Sequence, residues 1–303
     1  MTLHVLPSET ALASRRQFFA WAGLAGVTIA AGSAWGKDAS KPTTIALLSD
    51  THINADKAKV ISNVVMADHL AKAWEGVTAA ASRLSAAIVH GDVAHLVGEA
   101  GDYRQVAQLL IPAGKAVVPL HFMMGNHDDR GNFREVLRAA AASPLESHQV
   151  AILDTPQATW LMLDSLEFTN KTPGKLGEAQ LKWLTAALDA KKDKPAIISV
   201  HHHPQWETDK VPGITDTKEF FEILTPRKHV KAVFFGHTHN WNIQQHDGIH
   251  LVNLPPVAYV FNKEKPSGWV EAALGATGME LTLHGVGPAH ETHGKKKKLE
   301  WRG

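Results

Sequence analysis

Five short segments carry most of the side chains able to do chemistry: Asp50-Thr51-His52, Gly91-Asp92, Gly125-Asn126-His127-Asp128, His201-His202-His203-Pro204 and Gly236-His237-Thr238-His239. Taken singly, each is ordinary. An Asp-x-His or Gly-Asp pair is usually a turn or a cap, and a His-x-His pair usually faces solvent. Together they offer carboxylate, imidazole and amide oxygen donors, a set that suits ions such as Mn, Fe and Zn. Two such ions about 3.5 to 4 Å apart clamp the attacking and leaving oxygens of a phosphoryl centre. A carboxylate between them offsets their repulsion. In an extended Gly-His-Thr-His segment residues 237 and 239 project to one side, so both could reach the same ions. The 19 histidines beside only two tyrosines point toward metal chemistry. The absence of cysteine excludes disulfides, Cys-ligated zinc, iron–sulfur clusters and a lipid anchor on an N-terminal Cys.

In this order, each after an apolar run, the five segments resemble the calcineurin-like metallophosphoesterase superfamily, whose pattern is DxH, GD, GNH[ED], a His near a Pro, and GHxH. The resemblance covers roughly residues 43–285. It implies an α/β fold, a four-layer α/β/β/α sandwich of two packed mixed sheets flanked by helices. It also implies two divalent or trivalent metal ions, Mn, Fe or Zn. Carried over by motif position, Asp50, His52 and His239 would hold one ion, and Asn126, His237 and one histidine of the 201–203 run the other, with Asp92 bridging. Members usually present that histidine two residues before a proline, which selects His202, although His201 ends its strand just as plausibly. His127 falls beside the substrate as the catalytic residue, stabilising phosphoryl oxygens or protonating the leaving alkoxide. The nucleophile would be a metal-bound hydroxide, since coordination lowers the pKa of water toward neutrality.

The residue three beyond the bridging aspartate separates branches of the superfamily, being Tyr in purple acid phosphatases and Asp in the serine/threonine protein phosphatases. Here it is His95, and neither Tyr103 nor Tyr259 occupies the position. Leu96 stands where the protein phosphatases carry Arg. His95 is open to three readings: a substitute ligand, a substrate contact, or a neighbour that leaves His127 without its usual carboxylate partner. The remaining similarity is to class III cyclic-nucleotide phosphodiesterases and glycerophosphodiesterases, which share the plain Gly-Asp and the His-His-Pro segment. The resemblance therefore implies a small-molecule phosphodiester substrate, with a phosphomonoester as the nearest rival. A metal-stabilised binding protein without turnover would lack ligand types, and none is missing. Trp206, Trp241 and Phe261 lie near the motifs, either lining a substrate pocket or packing in the core.

The elements that must position these groups are legible around them. Thr44–Leu48, Ala86–Val89, Pro119–Met124, Ala196–Val200 and Lys231–Phe235 read as strands, each running into a motif. Helices are expected over about 56–84, 102–110 and 178–190, and a hairpin over 148–164. Strands alternating with helices place ligands at the carboxyl ends of a sheet. From Trp241 onward, short β segments suggest a second sheet packed on the first. At the N-terminus, Arg15-Arg16 precedes an uncharged small-residue stretch up to Trp35, which resembles a twin-arginine export signal over residues 1–36. That resemblance implies handling by the twin-arginine export machinery, a periplasmic or extracellular location, and no stable membrane association once the signal is removed. The net charge of +1 gives no footprint for nucleic acid. The run Lys295–Lys298 reads as part of a solvated basic tail over 286–303.

Overall fold

Apolar runs of four to six residues are long enough for strands and too short for helices. The computed structural model, which describes residues 43–206 and 210–303, forms them as strands. One sheet contains β1 (Thr43–Leu48), β4 (Ala86–His90), β5 (Leu120–Met123), β12 (Gly268–Leu274), β13 (Gly278–Gly285) and β14 (Lys296–Glu300), ordered β14-β13-β12-β1-β4-β5. The other contains β6 (Ala151–Asp154), β7 (Thr159–Met162), β8 (Ala196–Ser199), β9 (Val230–Phe235), β10 (Asn242–His246) and β11 (Ile249–Asn253), ordered β10-β11-β9-β8-β7-β6. Strands β1, β4 and β5 run parallel, as do β7, β8, β9 and β11.

The period-two alternation of each strand assigns its side chains to layers. Ile45 and Leu47 of β1 face the space between the sheets, where they meet Trp160, Ile197, Phe234 and Leu281. Ala46 and Leu48 face the opposite way, against α1 (Met66–Ala80), α2 (Ala100–Leu110) and α3 (Arg130–Val136). On the second sheet Ala232 and Phe234 point inward, whereas Val233 and Phe235 pack under α4 (Glu178–Ala190) and α5 (Thr217–Leu224). The architecture is the expected α/β/β/α sandwich. Burying a side chain such as Phe234 contributes about 1.5–3 kcal/mol.

Three expectations are corrected. The helix expected over 56–84 begins only at Met66, because β2 (Val60–Ile61) and β3 (Val64–Val65) form a hairpin first. Its turn, Ser62-Asn63, has both φ angles positive at 51° and 63°, the backbone of a two-residue hairpin turn. The segments after Trp241 do not form a sheet of their own. β10 and β11 join the second sheet, while β12 to β14 return to the first. The lysine run is an edge strand rather than a tail: Lys296, Lys297 and Lys298 pair with β13 through backbone while their side chains stay exposed, and Leu299 is buried. Just beyond it, the Arg302 guanidinium donates to the carbonyls of Leu224, Arg227, Val230 and Asp247, all on the second-sheet side. The export-signal expectation falls on residues outside those described.

Candidate metal centre

Parallel strands deliver their carboxyl ends to one edge of the sandwich, and register makes them level. Leu48 pairs with Val89, and Val89 with Phe122, so the loops carrying Asp50, Asp92 and Asn126 emerge side by side. β8 and β9, paired Ser199 to Phe234, deliver the histidine run and the Gly-His-Thr-His loop from the other sheet. The close approach needs glycine. A Cβ on Gly125 would overlap the backbone nitrogen and carboxylate of Asp92, and one on Gly236 would overlap Ser49 and Asp50. Five candidate ligands adopt left-handed backbone: Asp50 (φ 51°), His52 (46°), Asp92 (44°), His237 (66°) and His239 (51°). Each costs on the order of 1–3 kcal/mol and persists only where surrounding structure imposes it.

Three groups of potential ligand atoms converge, each within 4.8 Å: Asp50, His52 and His239; His52, Asp92 and His127; and Asp92, His201 and His237. Asp92 and His52 are each common to two, and of these Asp92, with two carboxylate oxygens, is the group able to bridge. His52 Nε2 and His239 Nε2 are 2.9 Å apart, and His239 Nε2 lies 3.5 Å from Asp50 Oδ1. Two nitrogens bound to one ion at about 2.0–2.1 Å would stand roughly 3 Å apart. His239 Nδ1–H donates to the Tyr259 carbonyl at 2.6 Å, which turns Nε2 toward the cluster. His201 Nδ1–H donates likewise to the His90 carbonyl at 2.8 Å, leaving Nε2 3.3 Å from Asp92 Oδ2. His237 Nε2–H donates to the Pro212 carbonyl at 3.1 Å. These are the outer-face bonds that fix the tautomer of a ligating histidine.

Within the histidine run the geometry favours His201 over the expected His202. It is His201 whose ring joins Asp92 and His237, while His202 lies alongside, its Nδ1 2.8 Å from Ser165 Oγ. The reason is tertiary: the His90 carbonyl on β4 orients the first ring of the run. Asn126 is buried, and its Oδ1 has no hydrogen-bond partner, nor do the Nε2 atoms of His201 and His202. Leaving such atoms unsatisfied costs about 1–3 kcal/mol each, and a cation between them removes that cost.

Electrostatics points the same way. Asp50 and Asp92 are both buried. Burial pushes the Asp50 carboxyl up. Burial also acts against the charge of Asp92, but His201 and His52 outweigh it and hold that carboxylate well below its usual range. His201 differs: burial disfavours its charge, but Asp92 overrides this and raises it to about 9, so a cation binding there would displace its proton. Burial lowers His237 to about 3 and His52 far below its usual value, so both stay neutral with a lone pair to donate. The residues present fit two cations.

His127 is half-buried, its ring 5.3 Å from that of His52. Its Nδ1–H donates to the Leu96 carbonyl at 2.9 Å, a backbone group where the protein phosphatases are said to use a carboxylate. His95 belongs to none of the ligand groups among the described residues; its Nδ1 is 3.4 Å from Asn54 Nδ2. Phe261 stacks on His239 at 4.4 Å, whereas Trp206 packs on Phe221 and His246, and Trp241 packs against the core between the sheets.

Sequence reasoning left Asp128 without a role. Its buried carboxylate accepts from the backbone of Val93, Ala94 and Gly125 and from the Tyr103 hydroxyl, joining the Asp92 loop to the His127 loop. Burial, with Asp92 nearby, pushes it up to about 7. Its place in Gly-Asn-His-Asp was the available signal. Asn253, whose Nδ2 donates to the Gly236 carbonyl at 3.1 Å and whose Oδ1 accepts from Thr238 Oγ1, had none.

A family model described as calcineurin-like phosphoesterase matches residues 43–241. The chain is 27% identical over 219 residues to the 3',5'-cyclic adenosine monophosphate phosphodiesterase CpdA of Pseudomonas aeruginosa, covering 71% of this chain and 76% of that one. It is 25% identical over 222 residues to the glycerophosphodiester phosphodiesterase GpdQ of Enterobacter lignolyticus, covering 71% and 77%. A dimetal phosphatase from Danio rerio superposes with a TM-score of 0.66 at 14% identity, over 86% of this chain and 100% of that chain.

Proposed function

The chain belongs to the calcineurin-like phosphoesterase family and is a metal-dependent phosphoesterase with a dinuclear centre; from that premise we propose that its substrate is a small phosphodiester of the cyclic-nucleotide or glycerophosphodiester kind. The observation that carries the reading is the convergence of Asp50, His52, His239, Asp92, His201 and His237 at one edge of the sandwich. The relatives named above are phosphodiesterases by name, and His95 takes the place of the residue types that mark the purple acid and protein phosphatase branches.

In this reading Asp50, His52 and His239 hold one ion, Asn126, His201 and His237 the other, and Asp92 both. Bound there, the ions supply Lewis acidity, neutralising phosphoryl charge and lowering the pKa of water. The chain's own groups do the rest. Asp92 Oδ1 accepts from the His127 backbone at 2.9 Å, which ties the bridging carboxylate to the loop that carries the catalytic imidazole. The Leu96 carbonyl holds Nδ1–H of His127 and turns Nε2 to the site; with a second proton on Nε2 the ring would give it to the departing alkoxide or donate to a phosphoryl oxygen. Asn126 and its neighbours are held by the Asp128 knot beneath them.

The test compares metal-reconstituted enzyme on a bis-aryl phosphodiester, an aryl phosphomonoester and cyclic AMP. We expect kcat/KM for the diesters to exceed that for the monoester by about tenfold or more. A monoester preference would instead favour the exported phosphomonoesterase reading. We also propose export through the twin-arginine route, on the strength of Arg15-Arg16 and the uncharged stretch after it. Cell fractionation of the full chain and of an Arg15→Lys, Arg16→Lys variant checks this, and equal periplasmic recovery would refute it.

A further inference from the structure

Large apolar side chains that stay exposed are few among the described residues, and they are unevenly placed. Eight are exposed: Val60, Leu96, Val97, Val117, Ile152, Phe168, Val211 and Phe261. Five of these lie on segments that bond or touch candidate site residues. Leu96 and Val97 lie on the loop whose carbonyl holds His127. Phe168 lies on the loop that bonds Asn126 and Asp128 through the backbone of Asn170 and the hydroxyl of Thr169. Val211 precedes Pro212, whose carbonyl takes His237. Phe261, 71% exposed, stacks nearly flat on His239 at an interplanar angle of 18°.

The five come from four separate segments, each anchored to a different candidate site residue. Scattered exposed apolar groups need no explanation, but a set gathered on the segments that hold one catalytic centre points to a binding surface. Folding could have filled these positions with polar residues at no cost to the core. The flat contact of Phe261 on His239 leaves its other face open beside the metals, as an aromatic shelf. An occupant that reaches the phosphoryl position must pass these side chains, so the occupant the geometry selects is part of the substrate itself.

We propose that this apolar rim binds the ester arm that stays on phosphorus, and that the enzyme prefers phosphodiesters in which that arm is a bulky apolar group, aryl or long alkyl, over those with a small polar or methyl arm. The proposal rests on the phosphodiesterase reading and departs from its glycerophosphodiester half, whose glycerol arm is small and polar. The bond broken is the same P–O bond, and the rim acts on recognition alone.

The test uses metal-loaded full-length enzyme and three diesters with a common para-nitrophenyl leaving group and a methyl, phenyl or hexyl second arm. A shared leaving group keeps the chemistry constant, and the phenyl and hexyl arms separate aromatic stacking from plain apolar burial. We expect kcat/KM for the phenyl or hexyl diester to exceed that for the methyl diester by about tenfold or more. In Phe261→Ser and in Phe168→Ser that ratio should fall toward unity. Because Phe261 touches His239, metal content is measured alongside, and Phe168→Ser carries the test if the first variant loses an ion. Equal rates on all three diesters overturn this inference and leave the phosphodiesterase reading standing. Hydrolysis of none overturns both. A ratio unchanged in both variants, with the protein instead sedimenting with phosphatidylglycerol vesicles, would assign the rim to a membrane surface and overturn the proposal.

Discussion

The two halves of the metal centre share Asp92 but differ in how far the chain alone has assembled them. On the Asp50 side, His52 and His239 bring their Nε2 atoms to 2.9 Å, and His239 reaches Asp50. The ligand atoms there already stand at the spacing one ion imposes. On the Asn126 side, Asn126 Oδ1 and His201 Nε2 are buried without hydrogen-bond partners. The first half is already gathered into ligand geometry, with its backbone strain met by the fold, whereas the second leaves atoms unpartnered that a cation would satisfy. Preorganisation raises affinity by removing the cost of ordering at the moment of binding. The comparison therefore says which ion should bind more tightly and which one the fold needs more.

The harshest way to break the comparison is to remove what the halves share. Asp92→Ala should lose both ions and lower kcat by about a thousandfold or more, read by elemental analysis and steady-state assay. Two retained ions with normal turnover would sink the bridging assignment. A sharper cut separates adjacent histidines. His201→Ala should lose about one ion and weaken metal affinity at least about a hundredfold, while His202→Ala, which touches the centre from the side, should cost about tenfold or less. The reverse order would restore His202 as the ligand.

Metal removal addresses the energetic half of the argument. Chelation should lower the unfolding midpoint by several degrees, since ions at a hundred times their Kd contribute about 2.7 kcal/mol. Titrating metal back should give two steps, and His239→Ala should abolish the tighter one. The smallest effect tests the support common to both halves. Asp128→Ala should destabilise by about 2–3 kcal/mol in urea and slow turnover while retaining both ions. Loss of metal in that variant would make Asp128 part of the centre rather than its scaffold.

The ligand types were legible because strand ends leave short signatures: Asp50-x-His52, Gly91-Asp92 and His237-x-His239 each follow a run of apolar residues. The layer order followed from alternation, as in Ile45 and Leu47 against Ala46 and Leu48. What escaped was decided by distant partners. Which histidine of the 201–203 run turns inward depends on the His90 carbonyl, 111 residues earlier. The Ser62-Asn63 hairpin was hidden inside a segment of helix-compatible composition, since only the turn backbone reveals it. The lysines of β14 gave the signature of a solvated segment, and they are solvated. Their strand is made by backbone pairing, which composition does not report.

Strand β14 and Arg302 follow every candidate ligand in chain order, yet they fasten both sheets: β14 pairs on the first, and the Arg302 guanidinium gathers four carbonyls of the second. Order of synthesis thus separates two events that the finished molecule shows together. All the donors have left the ribosome, and can meet their ions, before the clasp exists. A chain halted just short of Lys296 would display a full set of ligands on an unfastened sandwich. That order leaves metal capture free to precede closure of the two sheets.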